Sequence, residues 1–245
     1  MMERNFAVVG HPVVRLEAKE KLTGQAVYTD DMTLPGMVYA AVVRSPYARA
    51  VVTGIDLSAA ESVPGYVGAL LPDEVPDTLY NCSGNPPSAL LLKDEKILTK
   101  EPKCAGDRIL CIAAETPEAC REACEKVILE YRPQSPFFTI DEALKKGAEP
   151  LQPHLSEDNV IWKREVKEGD TGEGFKQSDI VIEGSFFIPP MQHTAIEPTV
   201  CICDFSDGRE LTIWSNSQTV FQERRIISEL VGIPESRIRI VKPAV

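Results

Sequence analysis

Short apolar runs broken by proline and glycine mark out most of the chain. Met37 to Arg44 (MVYAAVVR) is rich in β-branched residues and follows the Pro35-Gly36 turn, so it predicts a strand. Gly24 to Asp31 reads as strand then turn, Ala50 to Ile55 as a short strand, Ser58 to Ser62 as a helical turn closed by Pro64-Gly65, and Tyr66 to Leu71 as another strand. Residues 73–103, with four prolines, read as loop. Arg108 to Ala114 (RILCIAA) is a continuous apolar run of strand length, which predicts a buried strand. Thr116-Pro117-Glu118 then starts a helix: an N-cap hydroxyl, a proline at the first helical position and an acid near the positive helix end. Ala119, Cys120, Ala123 and Cys124 form its apolar stripe, and Val127 to Tyr131 reads as the strand that follows.

The pattern weakens over residues 132–178, which carry four prolines, a short helix near Asp141 to Lys146 and the charged stretch Lys163 to Asp170. The glycine-rich Gly169 to Phe175 (GDTGEGF) lacks the Lys-Ser/Thr ending of a phosphate loop and reads as a surface turn. Regular patterning returns in the last third. Ile180 to Ile188 and Thr199 to Phe205 read as strands, Asp207-Gly208 as a hairpin turn into Leu211 to Ser215, and Thr219 to Val231 as a helix closed by Gly232 and Pro234. Arg237 to Val241 is a final strand. It ends abruptly at Lys242-Pro243-Ala244-Val245, which suggests a chain that stops before its domain is complete.

Composition narrows the class. The 245 residues are 43% hydrophobic and 26% charged, as in globular proteins, and no apolar run approaches the length of a membrane span. The N-terminus carries no secretion signal, so a cytoplasmic protein is expected. A net charge of −11 repels phosphate backbones and argues against nucleic acid as a partner. Seven cysteines, an odd number without a secretion signal, read as reduced thiols. Cys201 and Cys203, two apart in a predicted strand, share one face. Their spacing and that of Cys120 and Cys124 do not fit a zinc ribbon, so no metal site is expected.

Side chains alone propose no catalytic centre. His11, His154 and His193 are far apart in sequence, and His193 stands out only because a loop between a strand and Glu197-Pro198 would present it. Gln218 lies at the junction between a predicted strand and a helix N-terminus, where unpaired N–H groups suit an anion; it reads either as a donor to a bound oxygen or as an ordinary loop residue.

Six segments in order resemble one family, the large subunits of molybdenum hydroxylases of the xanthine dehydrogenase and aldehyde oxidase type. Lys21, Gly24, Tyr28 and Asp31, then Pro35-Gly36, then Arg44, Ser45, Ala48 and Ala50 match the opening of its a/b hammerhead domain. Residues 55–76 and Gly106 to Tyr131 resemble the continuation of that domain. QHTAIEP (Gln192 to Pro198) resembles the His-x-x-Met-Glu-Pro motif that opens the molybdopterin-binding region, with Ile196 in place of Met. IWSNSQTVF with Gln218 resembles a Ser-x-Gln segment, and LVGIPESRIRIV the stretch that leads into a glycine-rich loop in the family. Cys104-Ala105-Gly106-Asp107 departs from the common Val-Gly-Gln-Pro.

The resemblance implies an α+β fold: an N-terminal extension over 1–19, an a/b hammerhead domain over 20–135, a linker over 136–178 and the first part of a molybdopterin-binding domain over 179–245. It implies water-derived hydroxylation of a purine or aldehyde carbon in the parent protein, with electrons passed to iron–sulfur and FAD domains or subunits. Carbon monoxide or nicotinate dehydrogenase relatives, and a non-catalytic hammerhead interaction module, are the alternatives. Gln218 is, by the same resemblance, the residue whose amide approaches the oxo group on molybdenum. The family's base, a glutamate, lies beyond Val245, so no catalytic residue and no cofactor, metal or cluster is expected in this chain by itself. Glu197 reads as a loop-anchoring carboxylate.

Overall fold

The computed structural model describes residues 7–82 and 92–244. Part of the predicted loop over 73–103, including Pro86 and Pro87, therefore lies outside the described residues. The N-terminal part opens with a short helix α1 (Ala18–Leu22) and a 3-10 turn at Thr29–Asp31. The strand expected within Gly24 to Asp31 does not form; Gln25 to Tyr28 runs without a ladder, and the side chain of Asp31 instead accepts from Tyr28 N at 2.9 Å.

The next elements follow the sequence pattern closely: β1 (Tyr39–Arg44), β2 (Ala50–Asp56), α2 (Ser58–Glu61), β3 (Tyr66–Leu70), β4 (Arg108–Ala114), α3 (Pro117–Lys126) and β5 (Ile128–Pro133). They form two antiparallel sheets, β1-β4-β3 and β2-β5. β4 is the central strand of the first sheet, which is why its sequence is apolar on both faces. Leu110, Ile112 and Ala114 point to the side covered by α2 and α3, and Ile109 is buried on the other. α3 meets this sheet with Ala119, Cys120 and Ala123, small residues that let helix and strands approach closely. Thr116 Oγ1 accepts from Ala119 N at 3.1 Å, the N-cap bond that the sequence calls for. Although α3 directly joins β4 to β5, these two strands belong to different sheets.

Beyond β5 lie α4 (Ile140–Ala143), with a capping box between Thr139 and Glu142, and α5 (Thr171–Lys176). α5 corrects the surface turn expected over Gly169 to Phe175. Asp170 accepts from Glu173 N at 3.1 Å, and this cap starts a helix despite the two glycines inside it. The second sheet-bearing unit is β6 (Cys201–Asp204), β7 (Leu211–Ser215), α6 (Val220–Val231) and β8 (Ile238–Val241). β6 and β7 are an antiparallel hairpin, while β7 and β8 run parallel with α6 as the crossover. Leu211, Ile213 and Ile238 form its small core, against which Ile227 of α6 packs. Gly232 closes α6 at φ 72°, with its N–H on Ser228 O at 3.0 Å.

The strand expected over Ile180 to Ile188 is not formed. The segment has no ladder partner among the described residues, and Ile182, Phe186 and Ile188 are almost fully exposed. Alternating apolar residues favour a strand only when another strand or a core face receives them.

Several contacts join the two units. Arg108 on β4 donates to Tyr80 Oη, Glu95 and the carbonyls of Lys96 and Ile97, which fixes the strand-like segment around Glu95. From that segment Lys93 pairs with Glu229 of α6 at 3.2 Å, and Gln222 of α6 donates to Cys82 O at 3.0 Å. Ala244 N donates to Val27 O, and the Thr29–Asp31 turn lies against β6.

Candidate functional site

The carboxyl end of a strand that leads into a crossover helix is where ligands bind in α/β units, because the helix presents unpaired N–H groups there. The β7–α6 junction has that geometry. Ser215 ends β7, Thr219 precedes α6, and Glu223 N to Thr219 O at 2.9 Å is the first bond of the helix. Thr219 makes no side-chain cap, so the N–H groups of the first turn stay available. The connecting loop is held by two hydroxyl-centred turns: Ser217 N donates to Ser215 Oγ, and Thr219 N to Ser217 Oγ, both at 3.2 Å. These turns fix the backbone on either side of Gln218, whose side chain is exposed.

Asn216 brings a second segment to the same place. Its Nδ2 donates to Pro198 O at 3.0 Å, which ties the loop to the end of Gln192 to Pro198. Thus two segments that the sequence picks out separately become neighbours. Thr194 in this second segment has φ 53°, an uncommon value for a non-glycine residue. His193 is exposed. Glu197 does not anchor its loop as expected through Oε1, which is buried without a hydrogen-bond partner.

The three histidines are not brought together as a site. His154 Nε2 lies 3.0 Å from Lys93 O, far from the β7–α6 loop in its contacts. Among the described residues, no group of three or more His, Cys, Asp or Glu side chains could hold a metal ion. The donors at the junction, helix N–H groups and a carboxamide, are instead of the type that holds oxygen atoms of a bound group. In that sense the residues present fit one edge of an oxygen-rich cofactor and no more.

Sequence reasoning missed Asn216 and Gln222. Asn216 could have been singled out as a polar residue directly after a strand. Gln222 carries no such signal, because its burial and its bond to Cys82 depend on a contact across 140 positions. Cys201 and Cys203, which the sequence places on one face of a strand, are both exposed on β6.

Comparison with known proteins gives matches over both sheet-bearing units. Residues 23–135 match the family model described as aldehyde oxidase and xanthine dehydrogenase, a/b hammerhead domain. Residues 153–245 match the molybdopterin cofactor-binding domain model. The chain belongs to the aldehyde oxidase and xanthine dehydrogenase family. Its relatives in that family include the nicotinate dehydrogenase large molybdopterin subunit of Eubacterium barkeri, 27% identical over 98% of this chain and 55% of the relative. Another is the xanthine dehydrogenase/oxidase of Gallus gallus, 29% identical over 94% of this chain and 16% of the relative. The aldehyde oxidoreductase of Desulfovibrio gigas superposes with a TM-score of 0.84 at 26% identity, over 94% of this chain and 26% of that one. The carbon monoxide dehydrogenase of Oligotropha carboxidovorans shares the fold, with a TM-score of 0.82 at 21% identity. The chain thus spans about half the length of one of these relatives and less than a third of the others. No helix among the described residues is long and apolar enough to cross a membrane.

Proposed function

We propose that this chain contributes the hammerhead domain and the first part of the molybdopterin-binding domain to the molybdenum-binding subunit of a xanthine dehydrogenase-like hydroxylase. The parent reaction on this reading places a water-derived hydroxyl on a purine or aldehyde carbon, and electrons leave through iron–sulfur and FAD partners. The molybdenum cofactor, when bound, supplies the oxidation chemistry. This chain's part is positional. Gln218 presents its amide to the cofactor from the rigid loop that ends β7, and the first-turn N–H groups of α6 add donors beside it.

The observation that carries the reading is the convergence of Gln218, the uncapped start of α6 and the Gln192 to Pro198 segment at one strand end. The alignment with the nicotinate dehydrogenase relative takes in 98% of this chain and 55% of that relative, a larger share than for the other relatives named above, which supports a nicotinate-type large subunit as the second reading. The purine and nicotinate substrates share a carbon next to a ring nitrogen as the point of attack, whereas an aldehyde is attacked at its carbonyl carbon.

The test is to purify this chain together with the polypeptide that supplies the remaining parts of the family's cofactor domain. The complex is then assayed for molybdenum and for oxidation of xanthine, nicotinate and an aromatic aldehyde. Loss of one preorganised hydrogen-bond donor in such a site costs about 100-fold in kcat, so Gln218→Ala is expected to lower kcat by that order with the metal still bound. An unchanged kcat would remove Gln218 from the site. The 245-residue chain alone is expected to retain no molybdenum and to turn over no substrate, and stoichiometric metal in it would overturn that part.

A further inference from the structure

The one buried residue of α6 is polar. Gln222 is 9% exposed, while the helix's other side chains are half-buried or exposed. It is the third residue of α6, so its backbone lies in the first turn, beside Gln218 and the N–H groups that face the candidate site. Its Nε2 donates to Cys82 O at 3.0 Å, and Cys82 falls within the hammerhead match rather than the cofactor-domain match. We propose that Gln222 is a positioning residue, through which the hammerhead domain fixes the start of α6 and so sets where Gln218 stands. This rests on the reading of Gln218 as a cofactor contact.

The two ends of α6 are held by different partners. Toward its C-terminal end Ile227 packs on Leu211, Ile213 and Ile238, and Gly232 closes the helix, all within the second unit. Arg224 also reaches Glu235 of that unit at 3.4 Å. The first turn buries no apolar side chain: Phe221 is 73% exposed, and Thr219 forms no side-chain cap. Its only buried side chain leaves the unit for Cys82.

The acceptor is itself fixed. Two residues before it, Tyr80 exchanges backbone bonds with Glu95, its N–H donating at 2.9 Å and its carbonyl accepting at 3.1 Å. Arg108 of β4 holds this pair from the side, donating to Tyr80 Oη at 2.8 Å, Glu95 Oε2 at 3.0 Å, Lys96 O at 2.9 Å and Ile97 O at 3.1 Å. Asn81 Nδ2 adds a bond to Asp94 Oδ1 at 3.4 Å. The path thus runs from the central strand of the hammerhead sheet, through Arg108 and the Tyr80–Glu95 bridge, to Gln222.

The other contacts across the units do not reach this turn. Lys93 meets Glu229 nearer the far end of α6, with side chains 57% and 49% exposed, and exposed ion pairs contribute little. The Thr29–Asp31 turn lies against β6, and Ala244 N donates to Val27 O. Gln222 is the buried contact, where a donor left unpaired costs more than in the open. A misplacement of about 1 Å at a reacting centre costs about 100-fold in rate, so a clamp that only limits the excursions of Gln218 should be worth about tenfold in kcat.

The experiment measures amide hydrogen exchange in the 245-residue chain, unchanged and with Gln222→Ala, Gln222→Glu or Arg108→Met. The Glu223 amide, bonded to Thr219 O, reports the start of α6, and the Gly232 amide, bonded to Ser228 O, reports its end. Gln222→Ala should speed exchange at Glu223 about tenfold, as for the loss of one hydrogen bond, and leave Gly232 unchanged. Gln222→Glu separates the clamp from helix preference. An acid in the first turn favours the helix by itself and would slow exchange, whereas a carboxylate facing the Cys82 carbonyl has no proton to donate, so the clamp requires faster exchange. Arg108→Met should also speed Glu223, and combining it with Gln222→Ala should add little, because both break one path. Where Arg108→Met fails to fold, the sign of the Gln222→Glu change decides. Unchanged exchange at Glu223 in Gln222→Ala, or slower exchange in Gln222→Glu, overturns the clamp. In the complex with the completing polypeptide, Gln222→Ala should lower kcat about tenfold with KM and molybdenum content unchanged. A loss of kcat in Gln218→Ala with none in Gln222→Ala would overturn the positioning role and leave the reading of Gln218 intact. An unchanged kcat in both would remove Gln218 from the site and the role of Gln222 with it.

Discussion

At the level of single residues, backbone conformation decides more than side-chain chemistry. Gly232 and Gly174 show opposite cases. Gly232 stops α6 at φ 72°, a left-handed conformation that costs a residue with a Cβ about 1–2 kcal/mol. Gly174 sits inside α5 at an ordinary helical φ, with open space where a Cβ would stand. Glycine there only adds unfolded-state freedom, so alanine should stabilise by about 0.5–1 kcal/mol. Gly232→Ala is thus expected to lower the urea midpoint of the chain. Gly174→Ala should leave that midpoint unmoved and instead slow amide exchange in α5, because α5 buries no residue and reports only on itself. The same logic explains why Gly172 is a poor choice: a Cβ there would meet Asp170 Oδ1, the oxygen that caps the helix, at 3.2 Å.

Elements with their own core were legible in the sequence, and elements that wait for a distant partner were not. β4 could be read because every position of RILCIAA faces another element, and α3 because Thr116 and Pro117 announce its start. Their energetic weights differ accordingly. Leu110 is fully buried between the sheet and α3, so Leu110→Ala should cost about 2–5 kcal/mol, while Thr116→Ala, which removes a single capping bond, should cost about 1 kcal/mol. Chemical denaturation of both variants checks the order, and a cap loss that equalled the core loss would mean that α3 is held by its start rather than by its apolar face. The segment Ile180 to Ile188 carries as strong a strand pattern as β1 yet pairs with nothing among the described residues. The candidate site was legible only in part for the same reason. Gln218 stands at a strand–helix junction visible in one sequence window, whereas the Asn216–Pro198 and Gln222–Cys82 bonds that hold the junction join positions far apart.

For the whole molecule, the balance of covered and uncovered apolar surface sets its behaviour. Between Val160 and Ile196 the chain exposes Trp162, Val166, Phe175, Ile180, Ile182, Phe186, Phe187, Ile188, Met191 and Ile196, most of them by more than half. An apolar surface of this extent promotes association, and an unpaired extended backbone offers hydrogen-bond groups as well. The net charge of −11 opposes association at neutral pH, and that protection fades as the pH falls toward the sequence pI of about 4.9. Self-association of the 245-residue chain should therefore increase as the pH is lowered from 7.5 to 5.5, and light scattering or sedimentation measures it. Replacing Ile182, Phe186 and Ile188 together with threonine should suppress that association and reduce binding of a hydrophobic dye. The unfolding free energy should stay within about 0.5 kcal/mol of the parent, because these side chains bury almost nothing to lose. A large loss of stability in the triple variant would mean that the segment packs against the fold in solution. Unchanged association would place the sticky surface elsewhere, with Trp162 and Phe175 the next side chains to replace.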